Sequence, residues 1–288
     1  MNELVLDWPG GRIFPERKTL IMGILNATPD SFSDGGRFFG FENAVQRGKY
    51  LAAEGADILD IGGESSRPFA EAVSEAEEMD RVIPVIEALA GEVDIPVSID
   101  TVKAAVAREA VKAGAGMIND ISAMEQDPAM AAVVKEADLP VILMHMKGTP
   151  ETMQINPEYE DLLNDIARYL QKRADFAVEA GIKKERIILD PGIGFGKTVR
   201  HNLALINHMD MIASLGFPVL VGPSRKSFLQ KILAQEAGEN LSADSDECEN
   251  GTLAALAVAV VKGCHIVRVH DVKRAKSCLT TLDAIKSE

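Results

Sequence analysis

The sequence contains few cysteines, and none is spaced for a metal site or a redox disulfide. Cys248, Cys264 and Cys278 are the three cysteines among 288 residues, and no C-x-x-C occurs. This usage argues against a disulfide framework and against a cysteine-ligated zinc site. We interpret the three as structural thiols in a reducing compartment, and we expect the protein to be cytoplasmic.

Long hydrophobic runs and an excess of positive charge are also missing. The most apolar segment, TLAALAVAVV at 252–261, is too short to span a bilayer, and the N-terminal MNELVLDWPGG does not predict a signal peptide. Acidic residues outnumber basic ones by 44 to 30, which gives a formal net charge of −14. That charge repels polyanions, so we expect no nucleic acid and no membrane among the partners unless a local cleft concentrates basic residues.

The glycine-rich stretch LDPGIGFGKT at 189–198 lacks what a nucleotide-binding loop requires. In the pattern G-x-x-x-x-G-K-[ST], Pro191 holds the first glycine position, and proline has no N–H to donate. The pattern G-x-G-x-x-G fails too, because Lys197 stands where its last glycine should be. We therefore expect the glycines to serve a tight turn beside a flat ligand, with Asp190 as the informative residue and Lys197 as a supporting charge.

What the sequence does contain is a repeated alternation of strands and helices. Eight short runs rich in β-branched residues are each followed by a stretch with helical periodicity, at 19–25, 57–62, 96–100, 116–120, 140–146, 186–192, 217–222 and 265–270. Eight βα units predict an α/β fold, a (β/α)₈ TIM barrel forming a single domain over residues 1–288, with its core from about residue 19. A doubly wound parallel sheet is the alternative. The acidic segment 236–251 predicts a mobile surface loop.

Polar residues cluster where the predicted strands end, which in a barrel is the face that carries the active site. They are Asn26, Glu64, Arg67, Asp100, Asn119, Asp120, His145, Asp190, Arg225, Lys226, Arg268 and His270. Carboxylates and an amide suit a ligand with N–H donors, and the cations suit an anion such as phosphate. Arg268 lies inside the strand run HIVRVH, where a permanent charge needs a partner or a ligand. The pattern predicts a nitrogen heterocycle that carries phosphate.

Some of these residues also have a purely structural interpretation. Asp100 could cap the helix that follows it, and Asn119 and Asp120 could form Asx turns. His145 fits a buried wall histidine better than a metal ligand, because no cluster with metal-ligand spacing accompanies it.

Ordered motifs connect the chain to a known family. MGILNATPDSFSDGG at 22–36 and DILDIGGESSRPFA at 57–70 resemble the two long signatures of the dihydropteroate synthases, and SIDT, IND, MHMKGTP, LDPGIGFGK, GPSRKSF and RVHDV follow in that family's order. The resemblance implies a (β/α)₈ barrel, usually a homodimer. It also implies that 6-hydroxymethyl-7,8-dihydropterin diphosphate is joined to p-aminobenzoate with release of diphosphate, and that Mg²⁺ accompanies the diphosphate.

The resemblance implies a role for each matched residue. The pterin site would comprise Asp100, Asn119, Met144, Asp190, Phe195, Lys226 and Arg268. The diphosphate site would comprise Asn26, Arg67, Arg268 and His270, with Asn26 also binding the metal. The p-aminobenzoate site would comprise Phe32, Ser66, Pro68 and Ser227. The catalytic residues would be Arg67, Asp100, Lys226 and Arg268, with Asp100 stabilising positive charge as the exocyclic C–O bond breaks. Met144 and Phe195 fit plain barrel packing equally well.

The chain departs from the family pattern at two matched positions, and other functions stay open. Ser66 stands where the family most often has threonine, and Cys248 where it often has a basic residue. One alternative is a cobalamin-dependent, pterin-binding methyltransferase domain, which has no diphosphate to hold. The other is a non-catalytic paralogue that binds pterin. The segment 252–261 is apolar nearly all round, which predicts burial beneath a second subunit and hence a homodimer.

Overall fold

Eight parallel strands dominate the fold. The computed structural model describes residues 6–8, 11–13, 18–28, 36–65, 73–149, 152–153 and 155–288. A short antiparallel pair, β1 (Leu6–Trp8) and β2 (Gly11–Ile13), precedes them and was not predicted from the sequence. The parallel strands are β3 (Leu20–Asn26), β4 (Ile58–Gly62), β5 (Val97–Asp100), β6 (Met117–Asp120), β7 (Val141–Met144), β8 (Ile187–Asp190), β9 (Leu220–Val221) and β10 (Ile266–Val269).

The strands close into a barrel. Their order is β8-β7-β6-β5-β4-β3-β10-β9, and a parallel bridge between Leu189 and Val219 brings β8 back beside the strand at the other end. The last strand in this order, β9, has two residues, and Val219 before it makes the bridge to Leu189 while its N–H donates to His265 Nδ1. The closure confirms the predicted (β/α)₈ barrel, and the doubly wound sheet is wrong.

Helices surround the barrel in alternation with the strands. They are α1 (Gly36–Ala53), α2 (Glu75–Ala90), α3 (Ala104–Lys112), α4 (Met130–Ala137), α5 (Leu162–Glu179), α6 (Val199–Asn207), α7 (Met209–Ala213), α8 (Ser227–Ala237), α9 (Asp246–Val261) and α10 (Val272–Lys286). Several begin after a short polar residue whose side chain accepts a backbone N–H, such as Ser74 before α2 and Asp161 before α5. None of the helices in the described ranges is both long and apolar enough to cross a membrane.

The acidic segment 236–251 is only in part the surface loop that its composition predicts. Residues 238–245 form a largely exposed connection between α8 and α9. Residues 246–251 are the first turns of α9, and Ser245 Oγ accepts the Cys248 N–H at 3.2 Å. Acidic residues in that first turn stabilise the helix through its dipole. The start of a capped helix can therefore have the same acidic composition as a surface loop. Cys248 is fully buried there, and Glu249 is nearly so.

The alternation of side chains along the strands places the polar residues above an apolar plug. The plug consists of buried residues that point inward, namely Leu20, Met22, Ile58, Met117, Ile142, Ile188, Leu220 and Ile266. Two positions further along five of these strands, on the same face, stand Asp60, Asn119, Met144, Asp190 and Arg268. The interior therefore changes from apolar to charged toward the carboxyl ends of the strands, where barrel enzymes hold their sites.

Candidate active site

Arg268 joins two sides of the barrel mouth. Its Nε donates to Asp60 Oδ2 at 2.6 Å, and its Nη2 donates to Asp100 Oδ2 at 2.8 Å. Asn119 Nδ2 donates to the same Asp60 oxygen at 3.1 Å. The charge that the sequence places inside β10 thus has two carboxylate partners, and four polar side chains from β4, β5, β6 and β10 form one connected network.

The structural interpretation of Asp100 as a helix cap is not what the structure shows. The first N–H of α3, that of Ala104, is accepted by Asp127 Oδ2 at 2.8 Å, while Asp100 binds Arg268. Asp120 does form an Asx turn, because its carboxylate accepts the backbone N–H groups of Ser122 and Met124, each at 2.8 Å.

The side chains of Asn119 and Asp120 therefore have different roles, although the two residues are adjacent. Asn119 is part of the interior network, and Asp120 holds the loop that follows β6. Since successive side chains of a strand point to opposite faces, the inward one is the candidate for ligand binding.

Burial brings the pKa values of three ionisable groups of the mouth close to neutral pH. It raises the pKa of Asp100 to about 7, an effect that Asp60 adds to and Arg268 opposes. It raises the pKa of Asp190 to about 6, against the Gly192 N–H and Lys226. Burial also lowers the pKa of Lys226 to about 8, helped by the nearby positive charge of Arg268. Such shifts, concentrated in one cleft, mark a candidate functional site.

An apolar wall stands beside these charges. Met144, Met153 and Phe195 pack together as a buried cluster, and the Lys226 ammonium lies 3.9 Å from the centre of the Phe195 ring. A cation over an aromatic face is held there by electrostatic attraction. The mouth therefore offers a flat apolar surface edged by hydrogen-bonding groups, which suits a flat heterocycle.

Arg225 does not join Lys226 at the mouth, although the sequence suggested that both would hold an anion. Its backbone is left-handed, with φ at 58°, and its Nε donates at 2.5 Å to Glu249 of α9, which is buried. The ion pair fixes Arg225 on the outer side while Lys226 lies over Phe195.

Gly192 and Gly194 follow Asp190 and have positive φ angles of 70° and 85°. The Gly192 N–H donates to Asp190 Oδ1 at 2.7 Å. A Cβ at Gly192 would lie 1.9 Å from the carbonyl oxygen of His145, and one at Gly194 would lie 2.8 Å from Lys226 Cδ. The close approaches are therefore to neighbouring protein groups, and the glycines leave room for the His145 carbonyl group and for the Lys226 stem.

Gly192→Ala is therefore expected to destabilise the protein far more than a positive φ alone would. Gly238→Ala is the matched control, because Gly238 has nearly the same φ, 74°, with no atom within 4 Å of a built Cβ. We expect the control to lose about 1–2 kcal/mol, the left-handed penalty of an alanine, and Gly192→Ala to lose more. Urea unfolding of both variants measures the difference, and equal losses would show that the contact with His145 is unimportant.

His145 and Lys197 form a buried support behind the wall. Lys197 Nζ lies 3.0 Å from His145 Nδ1 and donates to the Phe195 carbonyl oxygen at 2.9 Å. Burial lowers the pKa of Lys197 to about 7 and that of His145 to about 2. The His145 ring also packs edge-on against Tyr169. This matches the interpretation of His145 as a wall histidine and of Lys197 as a supporting charge.

The remaining predicted site residues lie at the rim or outside the described ranges. Asn26 is half-buried at the end of β3, and His270 Nδ1 lies 2.9 Å from Ser224 Oγ. Ser227 is exposed and begins α8. Glu64, another strand-end residue, pairs with Lys103. The residues Phe32, Ser66, Arg67 and Pro68 lie outside the described residues.

Sequence reasoning missed Asp60, which is fully buried and holds both Arg268 and Asn119. A usable signal was present, since Asp60 is a charge inside the run DILDIG, just as Arg268 is a charge inside HIVRVH. The pairing of Arg225 with Glu249 had no comparable signal, because the two lie 24 positions apart and Glu249 belongs to a segment interpreted as a loop.

Known proteins match this fold and these motifs. The family model described as pterin binding enzyme matches residues 22–270. The dihydropteroate synthase of Synechocystis sp. is 47% identical over 285 residues, covering 99% of this chain and 94% of that protein. A structure of the Xanthomonas albilineans dihydropteroate synthase with 4-aminobenzoic acid is 42% identical with a TM-score of 0.89, covering 100% of both chains.

A second structure of the Xanthomonas albilineans enzyme, in complex with 7,8-dihydropteroate, aligns with a TM-score of 0.86 at 41% identity, covering 99% of each chain. The family match spans the network from Met22 to His270, and the similarity extends over nearly the whole chain. The chain therefore belongs to the pterin-binding enzyme family and, within it, to the dihydropteroate synthases.

Proposed function

We propose that this chain joins 6-hydroxymethyl-7,8-dihydropterin diphosphate to p-aminobenzoate, giving 7,8-dihydropteroate and diphosphate. The observation that supports this most is the buried network of Asp60, Asp100, Asn119 and Arg268 beside the apolar wall. Its groups would form hydrogen bonds to the edge of a flat heterocycle and stabilise charge that develops on it. The related Xanthomonas albilineans enzyme was solved with 7,8-dihydropteroate, the product of this reaction.

The pterin would lie against Met144 and Phe195 with its hydrogen-bonding edge toward Asp190 and Asn119. Asp190, at the end of β8, has one carboxylate oxygen bound to the Gly192 N–H, which leaves the other oxygen to accept from the pyrimidine N–H groups. Lys226, held over Phe195, would donate to the pterin oxygen and ring nitrogen region. An ionised carboxylate that accepts such bonds contributes more than a neutral acceptor.

Transfer would proceed by loss of the leaving group before the new bond is complete. The exocyclic C–O bond breaks, diphosphate departs with its electron pair, and the amine nitrogen of p-aminobenzoate forms the C–N bond and releases a proton. Asp100 would stabilise the positive charge that develops on the pterin, and Arg268, with His270 at the rim, would bind the departing diphosphate. Positioning and electrostatics suffice for a good leaving group.

Mg²⁺ would bind at the rim together with the diphosphate. Asn26 offers a neutral amide oxygen at the end of β3, and the described residues contain no group of three His, Cys, Asp or Glu side chains that could hold a metal. Such a donor set fits Mg²⁺, which typically takes few protein ligands and completes its shell with water and substrate phosphates. When bound, the ion would neutralise charge on the leaving diphosphate.

The carboxylate of p-aminobenzoate would bind at the beginning of α8. Ser227 is the first residue of this helix, and Lys226 before it makes no side-chain cap, so the first N–H groups of α8 are not capped by that residue. Helix N-termini favour anions through these N–H groups and the helix dipole. Phe32, Ser66, Arg67 and Pro68 would complete this part of the site.

One assay separates this function from the two alternatives. The protein is mixed with the pterin diphosphate, p-aminobenzoate and Mg²⁺, and both diphosphate and dihydropteroate are measured. A synthase produces the two together. Pterin binding without diphosphate release would instead support a methyltransferase-type domain or a non-catalytic paralogue, and binding of a methylated folate would then distinguish these two.

We also propose that the protein is a cytoplasmic homodimer that associates through α9. In the single chain, one face of α9 is buried, but Val258 is 42% exposed and Val261 is 61% exposed. Apolar side chains on one helix face favour a protein partner. The thiols of Cys248 and Cys264 are buried, which suits the reducing interior of a cell.

Replacing both Val258 and Val261 with glutamate is expected to produce monomers. Charge in an apolar interface is strongly unfavourable unless it is paired. Val178→Glu, at a valine of α5 with 44% exposure, is the control and should leave the mass unchanged. Light scattering after size exclusion measures the mass, and a dimer that survives the double substitution would place the interface elsewhere.

A further inference from the structure

The carboxylate of Asp60 is fully buried in the middle of β4 and is only partly satisfied. Its Oδ2 accepts from both Arg268 and Asn119, whereas its Oδ1 has no hydrogen-bond partner in the described structure. Ser98, its register partner on β5, has a buried hydroxyl without a partner in the same part of the structure. A buried charge with an unpaired oxygen is unfavourable for stability, so packing alone does not account for an aspartate here.

Asp60 contacts two of the groups that would bind the substrate. It stands one layer above Ile58 of the apolar plug and contacts, through one oxygen, an amide assigned to the pterin edge and a guanidinium assigned to the diphosphate. Asp100 holds the other end of that guanidinium, at 2.8 Å. Without Asp60, Arg268 would keep one carboxylate partner and would be drawn toward Asp100.

We propose that Asp60 is a positioning residue of the transfer reaction, which fixes Arg268 between two carboxylates and holds Asn119 in register with it. This inference rests on the proposed function. Asp60 lies beneath the groups that would bind the substrate and acts through Arg268 and Asn119. The negative charge of Asp60 also offsets the positive charge of Arg268, so Asp100 is not the sole counter-ion of Arg268. Asp100 can then stabilise positive charge that develops on the pterin.

The charge of Asp60 has a second consequence, for the protonation of Asp100. The charged groups around Asp100 are Arg268 on β10, Asp60 on β4, Glu78 on α2, Asp120 on β6 and Lys226 before α8. A neighbouring negative charge raises the pKa of a carboxyl group, so removing that of Asp60 lowers the pKa of Asp100 from about 7. Since ionised Asp100 is the active form, the acid limb of turnover then moves to lower pH.

Asp60→Asn is the first test, because asparagine keeps an oxygen that can accept from Arg268 and Asn119 but has no charge. We expect kcat to fall at least tenfold near neutral pH while the KM for the pterin diphosphate changes less than threefold. The acid limb of the kcat profile should move to lower pH, so the deficit narrows as the pH falls. A uniformly lower profile of unchanged shape would overturn the proposal.

Asp57→Asn is the matched control. Asp57 is also a buried carboxylate, directly before β4, but it accepts the Ile21 N–H at 3.0 Å and pairs with Lys18 at the opposite end of the barrel. Its loss should lower stability and leave kcat within twofold, with the acid limb unmoved. A kcat loss in Asp57→Asn equal to that in Asp60→Asn would show that general destabilisation explains both.

Asp60→Glu is the second variant, because it keeps the charge but moves the carboxylate by one methylene. It should lower kcat and leave the acid limb at the wild-type pH. Each variant has its own pair of readouts, so either one alone decides if the other does not fold. A wild-type protein that releases no diphosphate would instead refute the proposed function. In that case, calorimetry compares pterin binding by the wild type and by Asp60→Asn. Because asparagine keeps an oxygen that accepts from Asn119, we expect equal affinities, and a loss above threefold would contradict the proposal.

Discussion

Asp190→Asn is expected to weaken binding of the pterin diphosphate by about 1.5–3 kcal/mol, the range for a hydrogen bond to a charged group, which is about 10- to 150-fold in Kd. Asparagine keeps one acceptor oxygen, but it loses the charge and presents an N–H₂ where the substrate also has donors. Calorimetry without p-aminobenzoate measures the affinity in the absence of turnover. Asp210→Asn, which removes an exposed carboxylate from α7, is the control with the same change in charge.

The pH dependence of this affinity gives an independent test of the same residue. Burial raises the pKa of Asp190 to about 6, so the free carboxyl takes up a proton as the pH falls through that value. Wild-type affinity should therefore decrease below pH 6, and Asp190→Asn should lack that part of the decrease. Asp100 titrates in both proteins near pH 7, so the contribution of Asp190 is taken from their difference. Parallel curves, or an affinity unchanged by the substitution, would remove Asp190 from the site.

Arg268→Ala is expected to abolish nearly all turnover and to destabilise the fold. Removing the guanidinium leaves Asp60 and Asp100 as two uncompensated carboxylates in the barrel interior. Breaking a buried ion pair on one side typically lowers the free energy of unfolding by about 3–5 kcal/mol. Turnover should fall by roughly 10²–10³-fold, the effect of losing one preorganised donor to developing charge. Urea unfolding and a diphosphate-release assay measure the two effects.

Arg274→Ala is the control that distinguishes the effect of burial from the effect of the number of ion pairs lost. Arg274 also contacts two aspartates, Asp246 and Asp271, but its side chain is 40% exposed. Because water screens such pairs, this variant should unfold at nearly the wild-type urea concentration. The deficit of Arg268→Ala should shrink at acid pH, where the orphaned Asp100 carboxyl group, whose pKa burial already raises to about 7, becomes protonated. Equal stability losses in both variants would contradict the role assigned to the buried network.

The sequence allowed the barrel to be predicted because its strands are buried on both faces. Each of the eight predicted runs overlaps an observed strand, and the differences lie at the strand ends, where buried loop residues and strand residues are of the same types. The run at 217–222 contains two strand residues, and the N–H of Val219 before them donates to the His265 ring, a contact that no local pattern predicts. The acidic start of α9 was misinterpreted, because capping residues and loop residues are of the same kinds.

The site was predictable where a strand ends and less so where a strand continues. Asp100, Asn119 and Asp190 stand at or next to strand ends and do line the mouth, whereas Asp60 lies mid-strand and was overlooked. The outward turn of Arg225 depends on a left-handed backbone and a distant partner, Glu249, and no local pattern encodes either. Period-two alternation, applied to charged as well as apolar residues, would have found Asp60.

A crystal structure of this chain with 6-hydroxymethyl-7,8-dihydropterin diphosphate and Mg²⁺ would locate the heterocycle and so test the assigned binding site. We expect the pterin ring to lie against Met144 and Phe195, with its pyrimidine edge on Asp190 and Asn119 and its diphosphate toward Arg268. A ring bound outside the barrel mouth, or a pterin in the mouth that contacts neither Asp190 nor Asn119, would contradict this assignment.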